Sequence, residues 1–108
     1  MIAGERYLFE TLFKQTMTKM ILQDWFVYIV ECKDKSLYVG ITTDIEKRIN
    51  DHNSGKGCHY TKYRKPVKLL FYEKHKNRSS AVKRELEIKK SSRAKKFDLI
   101  KNAFLSCK

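Results

Sequence analysis

The sequence predicts an α+β fold: a small three-stranded antiparallel sheet flanked by helices, in the order β-β-α-β-α-α. Three observations carry that reading. Two runs rich in β-branched and aromatic residues, 25–31 (WFVYIVE) and 36–41 (SLYVGI), stand either side of the turn-like stretch Cys32-Lys33-Asp34-Lys35-Ser36, which is a hairpin pattern. Thr43 is followed three residues on by Glu46, a capping box that opens a helix. A third apolar run, Val67 to Glu73 (VKLLFYE), is followed by helical periodicity to near the C-terminus.

Residues 1–24 precede the strongly patterned part and are read as an N-terminal extension, with 25–104 as the folded domain. Within the extension, Tyr7, Leu8, Leu12 and Phe13 could share one face of a short helix, and Met20 could equally be a start of translation. Glu5, Arg6 and Glu10 interrupt its apolar residues, so no secretory signal is read there. The capping box predicts a helix from about Asp44 to Asn53 that stops at Gly55. Residues 54–66 (SGKGCHYTKYRKP) read as a basic, aromatic-bearing loop. Ser79 or Ser80 should cap a second helix running to about Lys90. Ser91-Ser92 then breaks and recaps the chain into a last helix, with Phe97, Ile100 and Phe104 on one face.

A length of 108 residues suits one domain with a modest core. The chain carries 24 Lys and Arg against 12 Asp and Glu, a net charge of +12. Between Lys74 and Lys101 alone, eleven basic residues stand against three acidic ones. Such an excess favours a polyanionic partner, nucleic acid ahead of a membrane surface. No apolar run is long enough to span a bilayer. Cys32, Cys58 and Cys107 are odd in number and widely spaced, which suits free thiols in a reducing cytoplasm.

Two placements ask for more than packing. At about 100° per residue, Ala81, Val82, Leu86 and Ile88 fall on one side of the second helix, and Lys83, Arg84, Glu87 and Lys90 on the other. Glu85 and Lys89 land inside the apolar arc. A carboxylate there must be paired, metal-bound or turned to a polar cleft. The plain structural reading is an i, i+4 ion pair, although a buried pair is a weak device for stability. On the first helix, Arg48 and His52 are also i, i+4, and flank the stripe of Ile41, Ile45 and Ile49. By default they are solvated side chains, but they could lean into a groove beside the sheet. There an arginine offers a permanently charged fork of donors that suits phosphate.

Together these residues resemble the GIY-YIG nuclease family, and most closely its small stand-alone bacterial members, the UPF0213 group. "VYI" at 27–29 and "YVG" at 38–40 resemble the paired short motifs, with Tyr28 and Tyr38 as the motif tyrosines and Gly40 as the motif glycine. Arg48 stands where the family places its helix arginine. His52 stands where members carry His or Tyr, and Glu85 where the family places its metal-binding glutamate. Val27 and Val39 depart mildly from the motif, and Ile41 replaces a lysine that assists the base in several catalytic relatives.

The resemblance implies a metal-dependent endonuclease acting on DNA, with RNA as the second choice and branched or damaged structures in repair or recombination as candidate substrates. Glu85 would hold one Mg²⁺ or Mn²⁺, a hard cation content with few carboxylates. Arg48 would stabilise developing phosphate charge. Tyr28 or Tyr38 would take a proton from water, its pKa of about 10 lowered by Arg48 or the metal, and His52 would share proton transfer or hold a tyrosine hydroxyl. Lys62, Arg64 and Lys65, interleaved with Tyr60 and Tyr63, suit backbone contact and stacking on nucleic acid; Lys89 and Lys90 would extend that surface. A zinc site at His52, Cys58 and His59 is disfavoured, since structural zinc usually takes four ligands at tighter spacing. The alternative function is a non-catalytic nucleic-acid-binding module using the same basic groove. A protein partner or a second copy would serve a domain with so little surface for choosing substrate.

Overall fold

The computed structural model describes residues 23–106, so the expectations for residues 1–22 and for Cys107 lie outside the described residues. The predicted hairpin forms from β1 (Trp25–Glu31) and β2 (Leu37–Thr42). Asp34 shapes its turn by accepting the Ser36 amide at 3.0 Å, while Cys32 N–H bonds to the Ser36 carbonyl at 2.8 Å. β3 (Lys68–His75) pairs with the other side of β1, so the order is β2-β1-β3 and both pairings are antiparallel. Because β1 is central, Val27, Tyr28, Ile29 and Val30 are all buried.

Strand alternation sends these four side chains to two faces. Val27 and Ile29 join Val39, Phe71, Ala81 and Ile88 in one cluster. Tyr28 and Val30 join Cys32 and Val67 in the other, with Tyr38, Ile45, Ile49 and Tyr60 packed against it. The sheet is thus a middle layer. On the Tyr28 face lie α1 (Ile45–Asn53) and a single turn, α2 (His59–Lys62). On the Ile29 face lie α3 (Arg78–Lys90) and α4 (Arg93–Ser106).

Several local expectations are corrected. The N-cap of α1 is Asp44, not Thr43: the helix starts one residue later, and the Asp44 carboxylate accepts the Lys47 amide at 3.1 Å. The chain turns out of α1 at Gly55, whose φ of 84° suits a residue without a Cβ. The N-cap of α3 is Asn77, which accepts the Ser80 amide at 2.8 Å, so Ser79 and Ser80 lie inside the helix. The basic loop at 54–66 contains α2, hidden in the sequence by its flanking glycines and Pro66. On α3, Leu86 is 50% exposed. The buried row is Ala81 and Ile88, seven residues apart, and Leu86 is rotated off it. On α4, the residues packed on the core are Leu99, Ile100 and Ala103, while Phe104 is largely exposed. Ser92 does cap α4, accepting the Lys95 amide at 3.2 Å.

Candidate active site

The two motif tyrosines share a sheet face. Tyr28 is opposite Gly40 and Tyr38 opposite Val30, which makes the tyrosines diagonal neighbours, their ring centroids 6.4 Å apart. Gly40 has a specific reason to be glycine: a Cβ there would lie 2.5 Å from the Tyr28 hydroxyl oxygen and 2.7 Å from Cζ. The close approach that its missing side chain permits is made by the Tyr28 phenol itself. Tyr28 is fully buried, whereas Tyr38 keeps part of its surface and stacks on Tyr60 at 5.9 Å.

One turn and then another of α1 bring Arg48 and His52 to this face. Arg48 Nε donates to the Tyr28 hydroxyl oxygen at 3.2 Å. His52 does not lean into an open groove as its edge position suggested. It is fully buried, with Nε2 2.8 Å from the Tyr28 hydroxyl and Nδ1 2.6 Å from Thr61 Oγ1. Thr61, on α2, is also fully buried and lies 3.4 Å from both the sulfur and the carbonyl oxygen of Cys58. The loop can wrap the histidine this closely because Gly57 has no side chain; a Cβ there would lie 2.9 Å from His52 Cα. The motif residues pointed to Tyr28, Tyr38, Arg48 and His52, but Thr61 and the Cys58 thiol were missed as parts of this cluster.

Burial dominates the electrostatics. It raises the Tyr28 phenol above its ordinary pKa against the opposing pull of Arg48. Burial likewise pushes Tyr38 up strongly, helped by the hydrogen bond its hydroxyl makes to the Cys58 thiol. The expectation of phenols lowered by Arg48 is therefore corrected for the protein by itself: desolvation outweighs one guanidinium. His52 is held below the usual imidazole value by burial and then by Arg48, so it is neutral near pH 7. Cys58, although burial raises it, ends below the ordinary thiol value because Thr61 and Tyr38 hydrogen-bond the sulfur.

Glu85 comes from α3, in the layer on the opposite face of the sheet. Its side chain is 17% exposed and its Oε1 lies 3.0 Å from Lys89 Nζ, with Lys89 47% exposed. The expected i, i+4 pair forms, but at a rim and not in the core. The Glu85 charge reaches the Tyr28 phenol, adding to the upward shift. A cleft of about 290 Å³ opens beside Arg48. Its walls come from both sides of the β2 edge: Trp25 and Ile41 pack with the Ile29 cluster, and Lys47, Arg48 and Asp51 belong to α1. A larger apolar cleft of about 630 Å³, between α1 and β3, holds none of the candidate residues.

As a metal site the donor set is small. Among the described residues no three His, Cys, Asp or Glu side chains converge. The one candidate, Glu85, is a hard oxygen donor already facing the ammonium of Lys89, so its position accepts positive charge. That fits a weakly held Mg²⁺ or Mn²⁺ completed by water and substrate phosphate, and does not fit a closed zinc site.

The remaining basic candidates differ in their freedom. Lys62 and Lys65 are exposed, Lys62 lying 5.5 Å from the centroid of Tyr63. Arg64 is committed within the fold: it bonds Asp34 at 3.1 Å and the Tyr60 carbonyl at 2.9 Å, and its guanidinium lies 4.0 Å over the Tyr60 ring. Lys89 serves Glu85, whereas Lys90 is exposed at the end of α3.

Residues 24–98 match the GIY-YIG catalytic domain. The chain is 56% identical over 75 residues to UPF0213 protein SSP2268 of Staphylococcus saprophyticus, covering 69% of this chain and 92% of that one. It is 53% identical over 74 residues to UPF0213 protein HQ_3675A of Haloquadratum walsbyi, covering 68% and 83%. In structure it is similar to the protein EF2693 of E. faecalis, solved by solution NMR, with a TM-score of 0.54 and 39% identity over 76% of this chain and 88% of that one. Among the described residues no helix is long and apolar enough to cross a membrane.

Proposed function

The chain belongs to the GIY-YIG family, a nuclease family, and on that premise we propose that it is a divalent-metal-dependent endonuclease hydrolysing phosphodiester bonds in DNA. Branched and damaged DNA, of the kind met in repair and recombination, is the substrate class to test first. The observation that carries the reading is the tether of Arg48. Its Nε is held by the buried Tyr28 hydroxyl, and among the described residues its two terminal nitrogens have no protein partner. They are left for a phosphate beside the 290 Å³ cleft, where a fixed guanidinium stabilises charge as it develops in the transition state.

The two phenols take different roles. Tyr28 is sealed from solvent, so it orients Arg48. Tyr38 is partly exposed, so it is the phenol that an attacking water can reach and the candidate base. At rest it is protonated, since burial and Cys58 raise its pKa, and it needs added positive charge to act. Glu85 would hold Mg²⁺ or Mn²⁺ in exchange for Lys89; such an ion supplies charge to the phosphate oxygens and lowers the pKa of neighbouring water and phenol. The exposed Lys62, Lys65 and Lys90 would grip the backbone of the nucleic acid.

A second reading, a nucleic-acid-binding module without catalysis, is favoured by the engagement of Glu85 with Lys89 and by two phenols held protonated. Incubation with duplex, single-stranded and branched DNA, with Mg²⁺ or Mn²⁺, decides between them when Glu85→Ala is run alongside. Metal-dependent cleavage of at least one substrate, lost in Glu85→Ala, supports the nuclease. Salt-sensitive binding with no cleavage of any substrate would leave the binding module.

A further inference from the structure

We infer that Thr61 is a positioning residue: its hydroxyl accepts the proton of the His52 Nδ1–H tautomer that the Arg48–Tyr28 bond requires, and so steadies, through Tyr28, the aim of the Arg48 fork. The inference rests on the nuclease reading for its consequence in catalysis, and on the hydrogen bonds alone for its consequence in structure.

The polarity of the chain Arg48–Tyr28–His52–Thr61 follows from counting protons. Arg48 Nε can only donate, and it donates to the Tyr28 oxygen. Tyr28 is fully buried, so its own proton needs a protein acceptor, and among the described residues the acceptor in reach is His52 Nε2 at 2.8 Å. Nε2 must then be unprotonated. His52 is neutral, so its single proton sits on Nδ1 and is donated to Thr61 Oγ1 at 2.6 Å. Thr61 in turn turns its proton toward Cys58, whose sulfur and carbonyl oxygen are both 3.4 Å away. Each group gives in the same direction and every buried proton has an acceptor.

The opposite polarity fails at Tyr28. If Thr61 donated to Nδ1, Nε2 would carry the proton and donate to the phenol oxygen. The Tyr28 oxygen would then accept from both His52 and Arg48, and its hydroxyl proton would be left buried without an acceptor. A single hydroxyl, on a one-turn helix, thus supplies the buried acceptor that the Nδ1–H tautomer needs, and with it supports a clean Tyr28 acceptor for Arg48. Second partners of functional histidines commonly act this way, by fixing tautomer and ring orientation.

The test uses nitrogen-15 NMR of the full chain together with cleavage assays, comparing wild type, Thr61→Val and Thr61→Ser. Valine keeps the volume and removes the hydroxyl; serine restores it. In the wild type, His52 is expected as the Nδ1–H tautomer, with a slowly exchanging Arg48 Nε–H. Thr61→Val should mix the tautomers and speed Arg48 Nε–H exchange about tenfold or more, with cleavage falling about 10- to 100-fold, chiefly in kcat. Thr61→Ser should recover all three. An Nε2–H tautomer in the wild type, or a Thr61→Val protein unchanged in tautomer and in Arg48 exchange, would overturn the inference. The NMR readouts need no substrate, so a wild type with the expected tautomer that cleaves nothing counts against the nuclease reading alone.

Discussion

The Tyr28 phenol lies against the backbone of Gly40, on the neighbouring strand, where an added Cβ would sit 2.5 Å from its oxygen. The ring cannot move away freely, because the same oxygen is bonded to Arg48 and His52. Gly40→Ala should therefore keep the fold, lose about 1–3 kcal/mol as an overpacked core does, and displace the Arg48 tether. Chemical denaturation should show the loss of stability, and cleavage should fall with binding retained. Unchanged stability would mean that the phenol is not confined as described.

Acidification should destabilise the protein through His52. Burial and Arg48 hold its folded-state pKa below the unfolded value of about 6.5. Below that pH the unfolded chain binds more protons than the folded one, so stability falls as pH drops and levels off only beneath the folded pKa. His52→Gln should be less stable near neutral pH, yet lose less between about pH 7 and pH 5. Equal losses in both proteins would contradict a neutral, buried His52.

Lys89 competes with the proposed metal for Glu85. Lys89 is half exposed, so the pair is worth at most about 1 kcal/mol. Glu85→Gln should accordingly change stability by less than that amount. Lys89→Ala should lower the Mn²⁺ concentration for half-maximal cleavage, by up to about fivefold. A rise in that concentration would show that Lys89 supports the site instead of blocking it.

Nucleic-acid affinity should fall steeply with salt, and each lysine that contacts phosphate should account for about 0.9 of the log–log slope. Lys62→Ala and Lys65→Ala should each flatten the dependence. Arg64→Ala should act differently, destabilising the segment around α2, because Arg64 already holds Asp34 and the Tyr60 carbonyl. Salt-independent binding would reduce the net charge of +12 to a solubility feature.

Much of this site can be read from periodicity. Tyr28 and Tyr38 fall on one sheet face by strand alternation, Arg48 and His52 share a helix edge at i, i+4, and Glu85 interrupts an apolar arc. What periodicity lacks is the third dimension. It gives no hint that Glu85 approaches from the layer opposite Arg48, or that His52 is sealed by a loop nine residues later in the chain. Thr61 carries no pattern at all, since a lone hydroxyl in a basic loop resembles any solvated threonine. Periodicity puts Leu86 on one side of α3 with Ala81, Val82 and Ile88; tertiary packing buries only the row of Ala81 and Ile88. The caps were misplaced by one residue at α1, where Thr43 and Asp44 both have capping side chains and only the extended backbone of Asp44 decides.

The central claim, that a Tyr28-tethered Arg48 fork stabilises phosphate in a cleavage reaction, is tested most directly by single-turnover cleavage with Arg48→Lys. Lysine keeps the charge but offers neither the Nε–H that Tyr28 holds nor the paired terminal donors. Folding and DNA binding should be largely retained, and the cleavage rate should fall about 10²- to 10³-fold, as when one oriented transition-state donor is removed. Cleavage by Arg48→Lys at the wild-type rate would contradict the account and make Arg48 a charge beside the cleft with no part in the chemistry.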